Sequence, residues 1–195
     1  TGGGKSNFLK LVTSILSGNN PEARVIFFDF KGGMESADLK NQVGNMRNNI
    51  SYLEGSNACI RELARLGTDL AGRLQHMKEM GVANYDEYKR KQLSKTSDPH
   101  VGRVATPERK TFIIVDEMAQ LYAKEPGLDK DLAERAKAAV NRIARQGRAA
   151  GVHLIAATQK PDASSFDQTV KSNLPGVLCF PMVNQVASVS ALGTK

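Results

Sequence analysis

The stretch Phe112-Ile-Ile-Val-Asp116-Glu117 decides the fold class of this chain. Its apolar residues are consecutive, and such a run is typical of a strand that is buried on both faces of a sheet. Two carboxylates follow immediately, and ligands of open α/β sheets bind at the carboxyl ends of the strands. The stretch therefore predicts a buried strand that delivers two acids to a ligand site.

The two acids differ by one position, and this offset turns the second side chain away from the first. One acid can then face a metal while the other faces a nucleophile. Asp116 fits the acid that organises Mg²⁺, and Glu117 fits the base that polarises an attacking water. The alternative is a strand that merely ends in two surface acids, and the phosphate-binding residues at the start of the chain argue against it.

The chain opens with the second half of a phosphate-binding loop. Gly4-Lys5-Ser6 completes the pattern G-x-x-x-x-G-K-[ST], whose first glycine would fall just before Thr1. Glycines let consecutive N–H groups converge on phosphate oxygens, and the following helix points its positive end at the same anion. Lys5 would bridge the β- and γ-phosphates, and Ser6 would bind Mg²⁺. The alternative is a glycine-rich loop that only caps a helix.

Short apolar runs alternate with longer amphipathic ones, which predicts an α/β fold with a parallel sheet. Residues 81–110 carry turn signals and no long apolar run, so we expect a peripheral excursion there and not core. The predicted strands are 25–28, 50–53, 111–115, 152–158 and 178–180, and the predicted helices are 8–16, 56–80, 85–92 and 129–149.

Composition indicates one soluble domain. The 195 residues are 41% hydrophobic and carry a formal net charge of +7, and at about 150 residues per domain the length allows one sizeable core. We expect residues 1–195 to form a single domain that is truncated at both ends, because Thr1 falls inside the phosphate loop. No apolar stretch approaches the roughly 18 residues of a membrane helix.

The basic residues cluster at 81–110, with seven Lys/Arg against four acids, and at 130–151, with six against two. Such clusters favour a polyanion partner, although a solvated basic helix face explains them equally well. Cys59 and Cys179 lie far apart in apolar surroundings, which indicates small buried thiols in a reducing cytoplasm. The histidines show no metal-ligand spacing.

Two further features fit nucleotide chemistry. Gln159 follows the predicted strand 152–158, where a polar tip residue can sense the γ-phosphate. Arg142 and Arg145 share a helix face, and Arg148 lies at the helix exit, where an arginine can stabilise the phosphoryl group of a neighbouring subunit. The alternatives are a Gln that caps a strand and arginines that complement a helix dipole.

Six longer segments and the short run SALG at 190–193 together resemble the FtsK/SpoIIIE branch of DNA-pumping ATPases, and the resemblance covers nearly the whole chain. The most specific of them is RAAGVHLIAATQ, within residues 143–161; related motors of conjugation and type VII secretion share the same core. The longer segments are TGGGKS at 1–6 with DFKGG at 29–33, MGVANYDEY at 80–88, IIVDEMAQL at 113–121, IARQGRAAGVHLIAATQKP at 143–161 and SNLPGVLCF at 172–180.

The resemblance implies a RecA-like P-loop core, a three-layer sandwich, that assembles into a hexameric ring around double-stranded DNA. It also implies ATP and Mg²⁺ as cofactors and a cytoplasmic location, with any tether to the inner membrane lying outside these residues. Glu117, Gln159 and a trans-acting Arg148 would serve hydrolysis, and Ser6 and Asp116 would bind the metal. The nucleotide-binding residues would be Thr1, Gly2, Gly3, Gly4, Lys5, Ser6 and Asn7.

The leading hypothesis is therefore an ATP-driven translocase of double-stranded DNA. A coupling motor of conjugation or type VII secretion, with protein or protein–DNA cargo, is the alternative. A ring component that binds nucleotide without hydrolysis is disfavoured by the intact Lys5, Asp116 and Glu117. A small-molecule kinase is disfavoured because the Asp-Glu pair and the Gln-tipped strand suit attack by water better.

Overall fold

A four-stranded parallel sheet organises the part of the chain that the computed structural model describes, namely residues 4–32, 49–96, 108–123, 126–159 and 167–180. The strand order is β2-β1-β3-β4, and neighbouring strands pair in parallel throughout. The strands are β1 (Arg24–Asp29), β2 (Ile50–Glu54), β3 (Thr111–Asp116) and β4 (Val152–Ala156).

Helices cover these strands, and described helices lie between β2 and β3 and between β3 and β4 in the sequence. A 3₁₀ turn at Arg148–Ala150 leads into β4. The described helices are α1 (Lys5–Asn19), α2 (Ser56–Glu79), α3 (Tyr85–Thr96), α4 (Ala119–Tyr122), α5 (Lys130–Gln146) and α6 (Gln168–Asn173).

Both faces of the sheet are buried, so the molecule has three layers. Alternate residues of β1 and β3 point to opposite faces, which is the period of a pleated strand. One set packs with residues of α2 and α5, and the other packs with α1 through Leu9. The expectation of an α/β three-layer sandwich is confirmed. The first set contains Ile26, Phe28, Ile113 and Val115, and the second contains Val25, Phe27 and Ile114.

Helices α2 and α5 pack closely through small residues. A Cβ at Gly67 of α2 would lie 2.9 Å from Cα of Ala139 in α5, well inside normal contact. Asp129 begins α5 as its N-cap, because its carboxylate accepts the N–H groups of Asp131 and Leu132 at 3.0 and 3.1 Å. These contacts hold the α2–α5 layer against the sheet.

The register brings three acids to one edge of the sheet. Asp29 at the end of β1 lies opposite Glu54 of β2 and Asp116 of β3. Because all strands run in the same direction, their carboxyl ends share this edge. The amino ends, together with the turn at Arg148–Ala150, lie at the other edge.

The structure corrects two expectations about the periphery. Residues 178–180 form no strand in the described structure, and Val177 and Leu178 beside them are each 61% exposed. Of the predicted excursion at 81–110, residues 97–107 lie outside the described structure, but Tyr85 and Tyr88 of α3 belong to the main hydrophobic cluster and so contribute to the core. Tyrosine rings are apolar enough to be buried when their hydroxyls find partners.

Glu108 supplies those partners for α3. Its carbonyl accepts the hydroxyl of Tyr85 at 3.1 Å, and its Oε1 accepts the hydroxyl of Tyr88 at 3.1 Å. The guanidinium of Arg73 pairs with the same carboxylate and donates to the carbonyl of Ala150 at 2.8 Å. This network ties α3 to α2 and to the turn before β4.

The cysteines differ in burial. Cys59 is fully buried in α2, and burial raises the pKa of its thiol to about 12. Cys179 is only half-buried, contrary to expectation, because it lies in an irregular segment beside exposed residues.

None of the helices in the described parts of the chain is long and apolar enough to cross a membrane.

Replacing Gly67 by Ala should destabilise the protein by about 1–3 kcal/mol, because the added methyl would overlap Ala139. Gly72 of the same helix is the matched control, since a Cβ there meets nothing within 4 Å. Gly72→Ala should stabilise by about 0.5–1 kcal/mol through helix propensity. Urea unfolding measures both, and equal effects of the two changes would contradict the close packing.

Candidate active site at the carboxyl edge of the sheet

The amino end of α1 presents a positive helix end. Gly4 precedes the helix with a φ of 79°, and the first turn of this described helix carries no acidic side chain. Such a helix end attracts anions through its N–H groups and its dipole. Ser6 lies in the same turn beside the exposed Asn7, whereas residues 1–3 fall outside the described structure.

The side chain of Lys5 forms an ion pair with Asp116, so the first turn of α1 lies beside the end of β3. Both side chains are largely buried, at 16% and 10% exposure. The attraction between two charges is stronger where they are shielded from water, but the hydration that both groups lose offsets this gain. The structure thus brings together two residues that lie 111 positions apart in the sequence.

The residues around this pair fit Mg²⁺ bound together with a nucleotide. Magnesium in such sites takes one or two protein oxygens and completes its shell with phosphate and water. Asp116 and Ser6, which follows Lys5 in the first turn of α1, carry oxygen ligands of this type. Within the described residues, no cluster of three or more His, Cys, Asp or Glu could hold a metal by itself. The donor set therefore suits a metal shared with a ligand.

Glu117 has an unusual backbone. Its φ is 69°, and it is the only residue other than glycine with a positive φ in the described parts of the chain. This conformation costs about 1–3 kcal/mol for a non-glycine residue and persists only where surrounding contacts enforce it. The change of direction after Asp116 explains why the two adjacent acids have different partners.

Three groups hold the carboxylate of Glu117, which is almost fully buried. The hydroxyl of Thr158 donates to Oε1 at 2.8 Å, and the N–H of Gln159 donates at 3.1 Å to Oε1 and 3.3 Å to Oε2. The ammonium of Lys31 lies 3.1 Å from Oε2. Burial acts to raise the pKa of Glu117, but these donors outweigh it and hold that pKa below its usual range.

The turn after β1 places Lys31 at the site. Oδ1 of Asp29 accepts the N–H groups of Lys31 and Gly32, both at 3.0 Å. Oδ2 of the same carboxylate accepts the hydroxyl of Tyr52 at 2.6 Å. Asp29 is 2% exposed, so its carboxylate is stabilised by these hydrogen bonds and not by contact with water.

Gln159 lies at the candidate site, whereas the three arginines lie away from it. Gln159 follows β4, which ends at Ala156, two residues earlier than expected. Its N–H reaches Glu117, and its exposed side chain lies at the same edge. Arg148 precedes β4 at the opposite edge and is exposed, as are Arg142 and Arg145. One chain therefore does not bring Arg148 to its own Glu117.

The aromatic residue Phe180 lies beside the amino end of α1. The ring of Phe180 lies 5.6 Å from the ring of Phe8, measured between centroids. A Cβ built on Gly4 would meet the same Phe180 ring at 3.7 Å. Phe180 thus packs against the amino end of α1.

Sequence reasoning missed two site residues, Lys31 and Thr158. Lys31 stood in the quoted turn DFKGG, and Thr158 stood beside Gln159, but neither was assigned a role. The available signal was position: each follows a strand that neighbours β3 in the sheet. Polar residues after adjacent parallel strands meet at one edge, so strand order would have been needed to select them.

Replacing Thr158 by Val should destabilise the protein by about 1–3 kcal/mol, because it removes a donor from a buried carboxylate. Thr68→Val is the control, since that hydroxyl only donates to a carbonyl within the exposed face of α2. Denaturant unfolding at neutral pH measures both variants. A loss at Thr158 no greater than the loss at Thr68 would contradict the role of this hydrogen bond.

The sequence model of the FtsK/SpoIIIE family matches residues 1–163. The chain is 33% identical over 171 residues to the ESX secretion system protein YukB of Bacillus subtilis (strain 168), covering 86% of this chain and 10% of that protein. It is 28% identical over 200 residues to the DNA translocase FtsK of Staphylococcus aureus (strain COL), covering 100% and 23%. The chain therefore spans less than a quarter of either relative.

Two solved structures share the fold. The pCW3 conjugation coupling protein TcpA, in a monomer form with ATPγS, has a TM-score of 0.71 and 25% identity, covering 100% of this chain and 50% of that one. The cytoplasmic domain of EssC has a TM-score of 0.69 at 16% identity, covering 100% and 34%, and this likeness concerns the fold alone. The expected RecA-like fold is confirmed. Because the family match extends over most of its length, the chain belongs to the FtsK/SpoIIIE family.

Proposed function

We propose that this chain is the ATP-hydrolysing domain of a motor that translocates double-stranded DNA. The observation that carries the proposal is the arrangement of Lys5, Asp116 and Glu117 at the carboxyl edge of the sheet. An ammonium, a metal-binding acid and a second, separately held acid are the groups that hydrolysis of a nucleoside triphosphate needs. The match to TcpA with ATPγS supports ATP as the nucleotide.

In this proposal the residues act as follows. Lys5 exchanges Asp116 for phosphate oxygens, and the freed Asp116 and the hydroxyl of Ser6 bind the metal. Mg²⁺, when bound there, supplies charge neutralisation at the phosphates. Glu117, held by Thr158, Gln159 and Lys31, orients the attacking water and accepts its proton. The side chain of Gln159 contacts the γ-phosphate.

The proposal extends to assembly and location. Arg148 lies at the edge opposite its own Glu117, so we assign it to the nucleotide of a neighbouring copy within a homo-hexameric ring. The ring operates in the cytoplasm, with any membrane tether supplied by other parts of the protein. FtsK relatives that match the chain over its full length support DNA as the cargo, as does the net charge of +7.

A second candidate is a secretion or conjugation coupling motor with protein or protein–DNA cargo. The specific observation in its favour is the 33% identity to YukB, which exceeds the identity to the FtsK relatives named above. Both candidates use the same hydrolytic residues, so only an experiment on the cargo separates them.

Replacing Glu117 by Gln should lower the rate of ATP hydrolysis by at least about 100-fold, because the amide cannot accept the proton. Binding of a fluorescent ATP analogue should persist in this variant and be lost in Lys5→Ala. Glu22→Gln is the matched control, because Glu22 is exposed and pairs with Lys89 on the surface. If Glu117→Gln hydrolyses ATP as fast as wild type, the assigned chemistry is wrong.

Binding of double-stranded DNA should weaken steeply with salt, because each neutralised phosphate adds about −0.9 to the slope of log affinity against log salt concentration. A slope of about −4 or steeper, with little preference among DNA sequences, supports the DNA motor. The measurement uses fluorescence anisotropy between low and physiological salt, in parallel with DNA-stimulated hydrolysis. Intact hydrolysis without any salt-sensitive DNA binding would overturn the DNA cargo and favour protein cargo.

A further inference from the structure

A chain of hydrogen bonds and one ion pair crosses the carboxyl edge of the sheet from β2 to β4. It begins at the hydroxyl of Tyr52 in β2, passes through the carboxylate of Asp29 at the end of β1, and continues through the backbone of Lys31. The ammonium of Lys31 then contacts Glu117, whose carboxylate accepts the hydroxyl of Thr158 after β4. Every described strand contributes a member or leads directly into one.

The first half of this series of hydrogen bonds, from Tyr52 to Asp29, fixes the backbone of Lys31. Asp29 is buried, and its two oxygens accept three donors at 2.6–3.0 Å. Two of these donors are the N–H groups of Lys31 and Gly32, so the turn cannot shift without breaking buried charge-assisted hydrogen bonds. The side chain of Lys31 is 41% exposed, yet its starting point is defined.

The second half restrains Glu117. Thr158 and Gln159 approach the carboxylate from β4, whereas Lys31 approaches Oε2 from β1. The N–H of Gln159 reaches both oxygens, and the ammonium of Lys31 adds a charged contact to Oε2 from the β1 side. Because the backbone at Glu117 is strained, a fixed side chain also helps to keep it in place.

We propose that Lys31 is a positioning residue for the base Glu117, and that Tyr52 and Asp29 hold Lys31 in place so that β2 supports the geometry of hydrolysis. The inference rests on the proposed function, since its readout is ATP hydrolysis. Lys31 acts through Glu117 and leaves nucleotide binding to Lys5. A misplacement of about 1 Å at a reacting group can cost about 100-fold in rate.

The test measures kcat and KM for ATP, the Kd of a non-hydrolysable ATP analogue and the thermal midpoint. Lys31→Met should lower kcat by about 10- to 100-fold, with KM and Kd changed less than about twofold. Lys31→Arg should recover a large part of kcat, because it restores a cation opposite Oε2. Lys78→Met, which removes an exposed lysine in the last turn of α2, is the control and should match wild type.

Tyr52→Phe tests the half of the hydrogen-bond series that lies farther from Glu117. It removes one hydroxyl and keeps the ring, which stacks on Phe27 with 5.8 Å between centroids. We expect kcat to fall by about threefold with Kd unchanged, because Asp29 loses one of its donors and holds the turn less firmly. An unchanged kcat in Tyr52→Phe would overturn the link to β2.

Each remaining outcome decides against the inference. A wild-type kcat in Lys31→Met would show that hydrolysis does not need Lys31. A higher kcat would show that Lys31 slows hydrolysis. A parallel loss of kcat and of analogue binding would make Lys31 a phosphate ligand instead. If Glu117→Gln retains full hydrolysis, the proposed function itself fails, whereas an inactive Glu117→Gln with a fully active Lys31→Met removes only the inference.

Discussion

Parallel pairing concentrates negative charge at one edge of the sheet, and the site depends on how that charge is held. The carboxyl ends of β1, β2 and β3 bring Asp29, Glu54 and Asp116 into register, and Glu117 follows directly. Like charges at this spacing repel unless cations or N–H donors intervene. Lys5 binds one acid and Lys31 another, while backbone N–H groups and a tyrosine hydroxyl hold a third. The lysines and donors are therefore as necessary to the edge as the acids.

The same constraint separates two groups of charged residues in space. Groups that suit hydrolysis lie at the carboxyl edge, whereas the exposed arginines at the end of α5 lie towards the amino edge. Helices α2 and α5 cover the face between them and pack through Gly67 and Ala139 with little room for adjustment. A tightly packed layer of this kind transmits displacement and does not absorb it. The positive φ of Glu117 is held separately, by the hydrogen bonds from Thr158 and Gln159 and by the ion pair with Lys31.

Local pattern was sufficient to predict the four described strands and to place Lys5 and Asp116 at one site. Consecutive apolar residues identified β3, and the glycine-rich start identified α1, so the pairing of Lys5 with Asp116 follows from placing both at carboxyl-edge positions. The role of Lys31 could not be predicted, because it depends on β1 lying beside β3, which no single segment encodes. The burial of Tyr88 was missed because it depends on Glu108, a partner 20 positions away.

Conformation was harder to predict than contact. The positive φ of Glu117 arises from tertiary contacts, since glutamate has no intrinsic preference for that region. Residues 178–180 were predicted to form a strand, yet the described structure shows no strand there, because strand formation needs a neighbour to pair with.

The unequal burial of the two thiols gives the molecule a built-in attachment point for an optical probe. Cys59 is enclosed and its thiol resists ionisation, so a thiol-reactive dye would select Cys179 in the folded protein. Cys179 adjoins Phe180, whose ring packs against Gly4 and Phe8. A dye on the native sequence would therefore sit beside the amino end of α1 and report changes in its surroundings by fluorescence, without any engineered cysteine.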